Sequence, residues 1–173
     1  MVYFLSDAHL GSRAIENPQA HQQTLIDMLQ SMAKDARAIY LLGDIFDFWC
    51  EYFWYDKSKE QYCPFLQTLR KLTSQGIEIH FFIGNHDIWT FGWLAKETGV
   101  VVHRKPESVV IHGKKIFLAH GDGLVPSDYI KQLPATTAQS HSEENQAIHF
   151  PTPSVSQPRT TIPLSATAAR MGQ

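Results

Sequence analysis

Cysteine is scarce in this sequence, and its scarcity limits the chemistry that thiols can do. The 173 residues contain two cysteines, Cys50 and Cys63, which form no zinc-type pattern of closely spaced pairs. We therefore expect two reduced thiols, as in a cytoplasmic protein, and no disulfide framework.

Long hydrophobic runs and an excess of positive charge are also absent. No apolar run approaches the roughly 18 residues of a membrane-spanning helix, and residues 1–7 contain no basic region of the signal-peptide kind. The formal net charge is −2, which gives no support for a broad nucleic-acid-binding surface. We expect a cytoplasmic protein that meets a membrane only from its surface and binds no nucleic acid.

The first 130 residues contain a regular alternation of β-rich and helical patterns. Asn17 before Pro18 is typical of a helix start, and a second helix is predicted over 59–74. Strands are predicted at 2–5, 38–42, 77–83, 100–102, 108–111 and 115–119. Strands that alternate with helices and are followed by consecutive strands predict a layered α/β sandwich.

The composition changes abruptly near Lys131. Residues 131–173 are dominated by Ser, Thr, Pro, Gln and Ala, and their five prolines exclude a long helix. This composition predicts a low-complexity, disordered tail next to a domain of residues 1–130. The abruptness favours a frameshift or truncation, and a genuinely divergent tail is the alternative.

Four short polar motifs each follow a predicted strand. They are Asp7-Ala8-His9, Gly43-Asp44-Ile45-Phe46-Asp47, Gly84-Asn85-His86-Asp87 and His120-Gly121-Asp122. Any one of them is also typical of a surface turn. Their combination, in this order and always at a strand end, favours a site at the edge of the sheet where ligands bind in α/β proteins.

The residue types in these motifs suit a pair of divalent cations. Two metals roughly 3.5–4 Å apart need a bridging ligand, and the carboxylate of Asp44 is the candidate. Asp7 and His9 would share a face of an extended segment and hold one metal. Asn85 and His120 would hold the other. Mixed nitrogen and oxygen ligands favour Mn²⁺, Fe or Zn²⁺ over Ca²⁺.

These motifs identify a resemblance to a known family. The first 130 residues resemble the calcineurin-like metallophosphoesterases, and they are most similar to the UDP-2,3-diacylglucosamine diphosphatase group of lipid A biosynthesis. The stretches that carry the resemblance are 4–11, 42–49 and 120–124. The resemblance implies a metallophosphoesterase sandwich that is incomplete at its C-terminus. It also implies a glycolipid or other phosphate-containing substrate and a peripheral contact with the inner membrane.

The resemblance also implies roles for particular residues. The residues at metal-ligand positions are Asp7, His9, Asp44, Asn85 and His120. His86 would protonate the leaving oxygen or stabilise the transition state, and Asp87 would orient His86. The implied reaction is attack on phosphorus by water activated at the metals, giving UMP and an acylated sugar phosphate.

The sequence departs from the family pattern at two places. Better-known members of the diphosphatase group have Arg where this chain has His86, which favours a general phosphoesterase as the alternative. The G-H-x-H segment that completes both metal shells in the superfamily is absent from the chain, so an inactive remnant is a further alternative. The later histidines, His141 and His149, lie in the low-complexity region and are not expected to replace it.

Two further features allow both a functional and an ordinary interpretation. Arg13 follows the first motif and would contact a substrate phosphate, or it is a solvated loop residue. The segment 46–55 contains seven aromatic residues, which would contact acyl chains or a membrane interface, or would pack in the core.

Overall fold

A computed structural model of the chain describes residues 1–51 and 61–122, together with the backbone of residues 167–171. In chain order the elements are β1 (Val2–Ser6), α1 (Pro18–Met32), β2 (Ala38–Leu42), α2 (Cys63–Ser74), β3 (Glu78–Phe82), α3 (Trp93–Thr98), β4 (Val101–His103), β5 (Glu107–Ile111), β6 (Lys114–Leu118) and β7 (Thr167–Met171).

The main sheet has the order β4-β3-β2-β1-β7. Its first four strands are parallel, with Phe4 opposite Tyr40 and Tyr40 opposite His80. The strands β5 and β6 form a separate antiparallel hairpin. Parallel strands end at the same edge of a sheet, so the segments that follow β1, β2 and β3 meet there.

The main sheet is covered on both faces. One face packs against the helices through a large apolar cluster that includes Leu5, Leu29 and Leu69. The other face packs against the hairpin through a smaller cluster that includes Phe4 and Leu118. Helices, sheet and hairpin therefore form three layers, which confirms the predicted layered α/β fold.

The starts of both longer helices follow from local sequence. The side chain of Asn17 accepts the backbone N–H of Ala20 at 2.9 Å, and Pro18 occupies the first turn of α1. The second helix begins at Cys63, later than the predicted residue 59, and Pro64 lies in its first turn. Proline lacks an N–H and suits this position, so the proline marks the start of the regular helix. Within 1–51 and 61–122, no helix combines the length and apolar character that crossing a bilayer requires.

One strand departs from the prediction of a disordered tail. The segment Thr167–Met171 pairs antiparallel with β1, so Phe4 lies opposite Ala169. Composition predicts whether a segment can form its own core. Pairing at an open sheet edge instead uses backbone N–H and C=O groups, which every residue except proline supplies. Residues 123–166 lie outside the described residues, and they include most of the predicted tail of 131–173.

Candidate metal centre

Backbone hydrogen bonds join the segments that follow β1 and β2. The N–H of Asp7 donates to the carbonyl of Gly43 at 3.2 Å, and the N–H of His9 donates to the carbonyl of Asp44 at 2.9 Å. The pairing continues at Leu10, whose N–H donates to Ile45 at 2.9 Å. These bonds extend the parallel register beyond the strands and bring the first two motifs side by side.

Three residues of the site have left-handed backbone conformations. The φ angles are +54° at Asp7, +44° at His9 and +53° at Asp44. This conformation is uncommon for residues with a Cβ atom, and it concentrates at functional sites where the surrounding structure holds it in place. The extended backbone predicted for Asp7 and His9 is therefore wrong, because a positive φ interrupts the alternation of a strand.

Two glycines allow the motifs to approach one another closely. A Cβ atom at Gly43 would lie 2.6 Å from the ring of His120, and one at Gly84 would lie 2.2 Å from Asp44 Oδ1. Any larger residue would therefore displace a polar side chain of the site. Glycine precedes both Asp44 and Asn85 for this reason.

The carboxylate of Asp44 is the centre of the site. Its side chain is buried, and Oδ2 lies 3.2 Å from His120 Nε2, 3.8 Å from His9 Nε2 and 4.0 Å from His86 Nε2. His9 Nε2 also lies 4.0 Å from Asp7 Oδ1. Two groups of possible ligands share Asp44, and each has its ligand atoms within 4.8 Å of one another: His9 with His86, and Asp7 with His120.

Backbone carbonyls orient two of the imidazoles. His120 Nδ1 lies 2.9 Å from the carbonyl of Leu42, and His86 Nδ1 lies 2.5 Å from the carbonyl of Asp47. A ring that donates from Nδ1 presents the lone pair of Nε2, which is the form that binds a metal. The contact with the Asp47 carbonyl raises the pKa of His86, and the nearby carboxylate of Asp44 adds to this effect.

The structure brings the predicted ligands Asp7, His9, Asp44 and His120 together, and His86 joins them. Asp44 is common to both groups, as expected of a bridge. Asp7 groups with His120, and His86 groups with His9, whose Nε2 also lies 4.0 Å from Asp7 Oδ1. Asn85 lies in the loop after β3 with an exposed side chain. Arg13 is exposed between β1 and α1.

Asp87, which is expected to orient His86, binds backbone N–H groups of two loops. The side chain of Asp87 is fully buried, where Oδ1 accepts the N–H of Gly84 at 2.5 Å and Oδ2 accepts the N–H of Ile45 at 3.0 Å. Burial raises the pKa of Asp87 to about 6, although these N–H donors act in the opposite direction. Side chains of consecutive residues diverge in a tight turn, so Asp87 joins two loops beneath the site while His86 faces Asp44.

Sequence reasoning did not select Asp47 as a site residue. Asp47 Oδ1 lies 3.5 Å from His9 Nδ1 and 4.0 Å from His86 Nδ1, and the Asp47 carbonyl holds the ring of His86. The available signal was the second acid of the Gly43–Asp47 motif. The carboxylate of Asp47 therefore places negative charge beside the Nδ1 atoms of His9 and His86, on the side of each ring that faces away from Asp44.

The aromatic segment that follows Asp44 divides between core and surface. Phe46 and Trp49 are buried and stacked, with ring centroids 4.4 Å apart. Phe48 is 61% exposed and lies beside Trp89, which is 41% exposed, with ring centroids 5.5 Å apart. Phe46 and Trp49 therefore pack in the core, whereas Phe48 is available for a contact at the surface. The remaining aromatic residues, at 52–55, lie outside the described part of the chain.

The chain belongs to the calcineurin-like phosphoesterase family, whose model matches residues 1–157. Family membership implies divalent metal ions. The side chains present fit such ions, because the buried carboxylate of Asp44 has three imidazole nitrogens within 4.0 Å of its Oδ2 atom.

Two curated proteins and one solved structure are similar to this chain. The chain is 43% identical over 121 residues to a UDP-2,3-diacylglucosamine hydrolase of Porphyromonas gingivalis, covering 70% of this chain and 45% of that protein. It is 31% identical over 130 residues to the protein of the same name from Haemophilus influenzae, covering 75% and 52%. The chain therefore spans about half the length of these curated relatives. A solved structure of an Aquifex aeolicus protein of unknown function is 22% identical, with a TM-score of 0.46 and coverage of 76% and 67%.

Proposed function

We propose that the chain carries the metal-binding part of a hydrolase that cleaves the diphosphate of UDP-2,3-diacylglucosamine. The products would be UMP and the acylated sugar 1-phosphate, a step of lipid A biosynthesis. The observation that carries the proposal is the buried carboxylate of Asp44, which faces the Nε2 atoms of three histidines within 4.0 Å. The names of the relatives support the choice of substrate.

The proposed metal ligands lie in the segments that follow β1, β2 and β3 of the main sheet and β6 of the hairpin. They are Asp7, His9, Asp44, Asn85 and His120, with Asp44 as the bridge. Mn²⁺ is the proposed cation, and Fe and Zn²⁺ are compatible with the same nitrogen and oxygen donors. When bound, such ions supply positive charge for phosphoryl oxygens and lower the pKa of coordinated water.

The proposed role of His86 is proton donation to the leaving oxygen. Its Nδ1 is held by the Asp47 carbonyl, so a proton on Nε2 faces the Asp44 side of the site. The raised pKa of His86 keeps a larger fraction of the imidazole protonated near neutral pH. Asp87 supports this arrangement indirectly by binding the loops that carry Asp44 and His86. Arg13 is the proposed contact for a substrate phosphate.

The proposed location is the cytoplasm, with a peripheral contact at the inner membrane. The diacylated substrate requires apolar surface, and Phe48, Trp89 and Phe91 expose aromatic rings in the segments next to Asp47 and Asp87. Aromatic rings of this kind favour the boundary between water and lipid.

A second candidate is a general phosphoesterase that acts on phosphodiesters or phosphomonoesters. It is favoured by His86, an imidazole where the better-known diphosphatases have Arg. A third candidate is an inactive remnant, favoured by the absence of a G-H-x-H segment from the 173 residues.

Metal content and a substrate panel separate the three candidates. The purified chain, loaded with Mn²⁺, is assayed for UMP release from UDP-2,3-diacylglucosamine and for turnover of simple phosphodiesters and phosphomonoesters. UMP release supports the proposal, and turnover of the simple esters alone supports the second candidate. No turnover, with fewer than two metals per chain, supports the third.

A further inference from the structure

The imidazole of His21 reaches the loop that carries two of the proposed metal ligands. Its Nε2 atom lies 2.6 Å from the carbonyl oxygen of Ala8, the residue between Asp7 and His9. A carbonyl oxygen only accepts hydrogen bonds, so the His21 ring carries a hydrogen on Nε2 and donates it. A side chain outside the proposed ligand set therefore binds the backbone between two of the ligands.

The peptide unit between Ala8 and His9 is bound at both of its polar ends. On one side, the Ala8 carbonyl accepts the hydrogen bond from His21. On the other side, the His9 N–H donates to the carbonyl of Asp44 at 2.9 Å. This carbonyl and this N–H belong to one planar group. The two bonds therefore fix the orientation of the plane between α1 and the segment that follows β2.

The orientation of this plane decides the backbone angle φ at His9. The angle describes rotation about the N–Cα bond of His9, and its value is +44°. A left-handed conformation is unfavourable for a residue with a Cβ atom, so the surrounding bonds must hold it. In this conformation His9 Nε2 lies 3.8 Å from Asp44 Oδ2 and 4.0 Å from Asp7 Oδ1. Rotation of the plane would move the His9 ring relative to both carboxylates.

The helix α1 is a firm support for the His21 ring. The His21 N–H donates to the carbonyl of Asn17 at 3.0 Å within the helix, and the helix packs into the core through Leu25 and Leu29. Ala8 is 1% exposed, so water cannot readily replace the imidazole as the partner of its carbonyl. Loss of the bond would therefore leave the peptide plane held from one side only.

We propose that His21 is a positioning residue of the metal centre, which acts through the Ala8–His9 peptide and holds the His9 imidazole toward Asp44. This inference rests on the proposed function, because it assumes that His9 binds a metal there. It assigns to α1 a part in metal binding in addition to its packing in the core. If the contact were purely structural, its loss would loosen α1 and leave metal affinity unchanged.

The test is a Mn²⁺ titration of the purified chain and of variants at residue 21, with free Mn²⁺ measured by electron paramagnetic resonance. His21→Leu removes the donor and should weaken Mn²⁺ binding about tenfold, as for other residues that orient a metal ligand. His21→Gln should restore most of the affinity, because its amide nitrogen is as many bonds from Cβ as the imidazole Nε2. His21→Asn carries the same amide one bond closer to the backbone and should bind Mn²⁺ as weakly as His21→Leu.

Thr24→Val is the matched control on the same helix. Thr24 Oγ1 donates to the carbonyl of Ala20 at 2.9 Å, so this variant removes a side-chain hydrogen bond from α1 without changing the Asp7–His9 loop. It should bind Mn²⁺ as the parent does. Urea unfolding in the absence of Mn²⁺ measures the stability of every variant, and the titrations are made where each one is folded.

Hydrogen exchange at the His9 amide connects metal affinity to the peptide plane. In the absence of Mn²⁺, this amide should exchange about tenfold faster in His21→Leu than in the parent, because the loop opens more often when one of its bonds is lost. In His21→Gln the rate should return close to that of the parent. The measurement is nuclear magnetic resonance of the exchanging amide.

Equal Mn²⁺ affinity in the parent and in His21→Leu would overturn the proposal. So would a loss of affinity that His21→Gln does not restore, or one that occurs with unchanged exchange at His9, because His21 would then act by another route. If His21→Leu does not fold, His21→Gln and His21→Asn decide the question. Equal affinity in these two variants would overturn the proposal as well.

Failure of the proposed function gives a different result. If UDP-2,3-diacylglucosamine is not hydrolysed but Mn²⁺ binding depends on the donor at residue 21, the positioning role stands in a phosphoesterase of another specificity. If hydrolysis occurs and Mn²⁺ binding is insensitive to residue 21, the function stands and the role of His21 is wrong. A parent chain that binds no Mn²⁺ overturns both.

Discussion

Asp44 contacts His86 in two ways across 42 positions of sequence. Asp44 Oδ1 accepts the backbone N–H of His86 at 3.0 Å, and Asp44 Oδ2 lies 4.0 Å from His86 Nε2. The first contact fixes the loop that carries His86, and the second faces its ring toward the candidate metals. One carboxylate therefore positions the second and third motifs relative to each other and also forms the centre of the site.

Substitution of Asp44 should remove metal binding more completely than any other single change. In the parent chain, Mn²⁺ at 100 times its dissociation constant should stabilise the folded state by about 2.7 kcal/mol. Asp44→Asn removes the charge shared by both ligand groups, so most of this stabilisation should disappear. The measurement is thermal unfolding with and without Mn²⁺. Asp27→Asn, on the exposed face of α1, should retain the full shift, and an equal shift in Asp44→Asn would exclude Asp44 as a ligand.

Gly84→Ala should damage the same site by steric means. The new Cβ atom would lie 2.2 Å from Asp44 Oδ1, so the carboxylate must move. We expect a loss of stability of about 1–3 kcal/mol, as for other overpacked positions, together with weaker Mn²⁺ binding. Urea unfolding and a metal titration measure the two effects.

Gly113→Ala provides the control for the loss of glycine. Gly113 has a φ of +77°, and nothing lies within 4 Å of the position that its Cβ atom would take. This variant should cost about 1 kcal/mol from backbone strain and leave Mn²⁺ affinity unchanged. If Gly84→Ala binds Mn²⁺ as the parent does, the close approach to Asp44 is not essential.

Much of the fold follows from local sequence patterns. The runs at Val2–Ser6 and Ala38–Leu42 are buried apolar strands, and Asn17 with Pro18 marks the start of α1. The convergence of the first three motifs also follows, because the parallel strands β1, β2 and β3 end at one edge of the sheet. Pairing of Thr167–Met171 with β1 does not follow, because backbone hydrogen bonding to an open edge leaves no pattern in the side chains.

The details of the site depend on backbone geometry that the sequence does not display. Positive φ at Asp7 and His9 replaces the extended backbone that the motif predicts. Asp87 faces backbone N–H groups because the loops of Gly84 and Ile45 surround it. The backbone carbonyl of Asp47 orients the ring of His86. A motif of residue types does not predict where a backbone carbonyl lies.

Glu51 should be essential for the loop that precedes α3. Its buried carboxylate accepts four backbone N–H groups at 2.6–2.8 Å and the indole N–H of Trp49 at 3.1 Å. The four donors are Phe91, Gly92, Trp93 and Leu94. Glu51→Ala leaves these donors without their acceptor, and we expect a loss of about 3 kcal/mol in urea unfolding.

Two further variants test whether the loss of stability in Glu51→Ala comes from its buried hydrogen bonds. Glu51→Gln keeps one acceptor oxygen and should lose less stability than Glu51→Ala. Glu97→Ala removes an exposed carboxylate that pairs with Arg70 and should cost at most about 1 kcal/mol. Similar losses in Glu51→Ala and Glu97→Ala would mean that the bonds at the start of α3 contribute little.

His80 should make stability depend on pH below neutrality. Burial lowers the pKa of His80, and the neighbouring His103, whose Nε2 lies 2.9 Å from His80 Nδ1, acts in the same direction. Glu78 and Glu107 partly oppose this shift. In the unfolded chain the imidazole of His80 has its ordinary pKa of about 6.5, so it binds a proton at a higher pH than in the folded protein. The stability that neutral His80 contributes is present above that pH and is lost as the pH falls through the folded-state pKa.

The measurement is the free energy of unfolding in urea at pH 7.5 and at pH 5.5. In the parent chain it should fall between these pH values, and His80→Phe should reduce the fall because an aromatic ring that cannot be protonated remains stacked on Tyr40. His112→Asn, in the exposed turn between β5 and β6, should keep the parent's pH dependence. If His80→Phe and the parent lose the same stability on acidification, the titration of His80 is not coupled to folding, and other groups cause the loss.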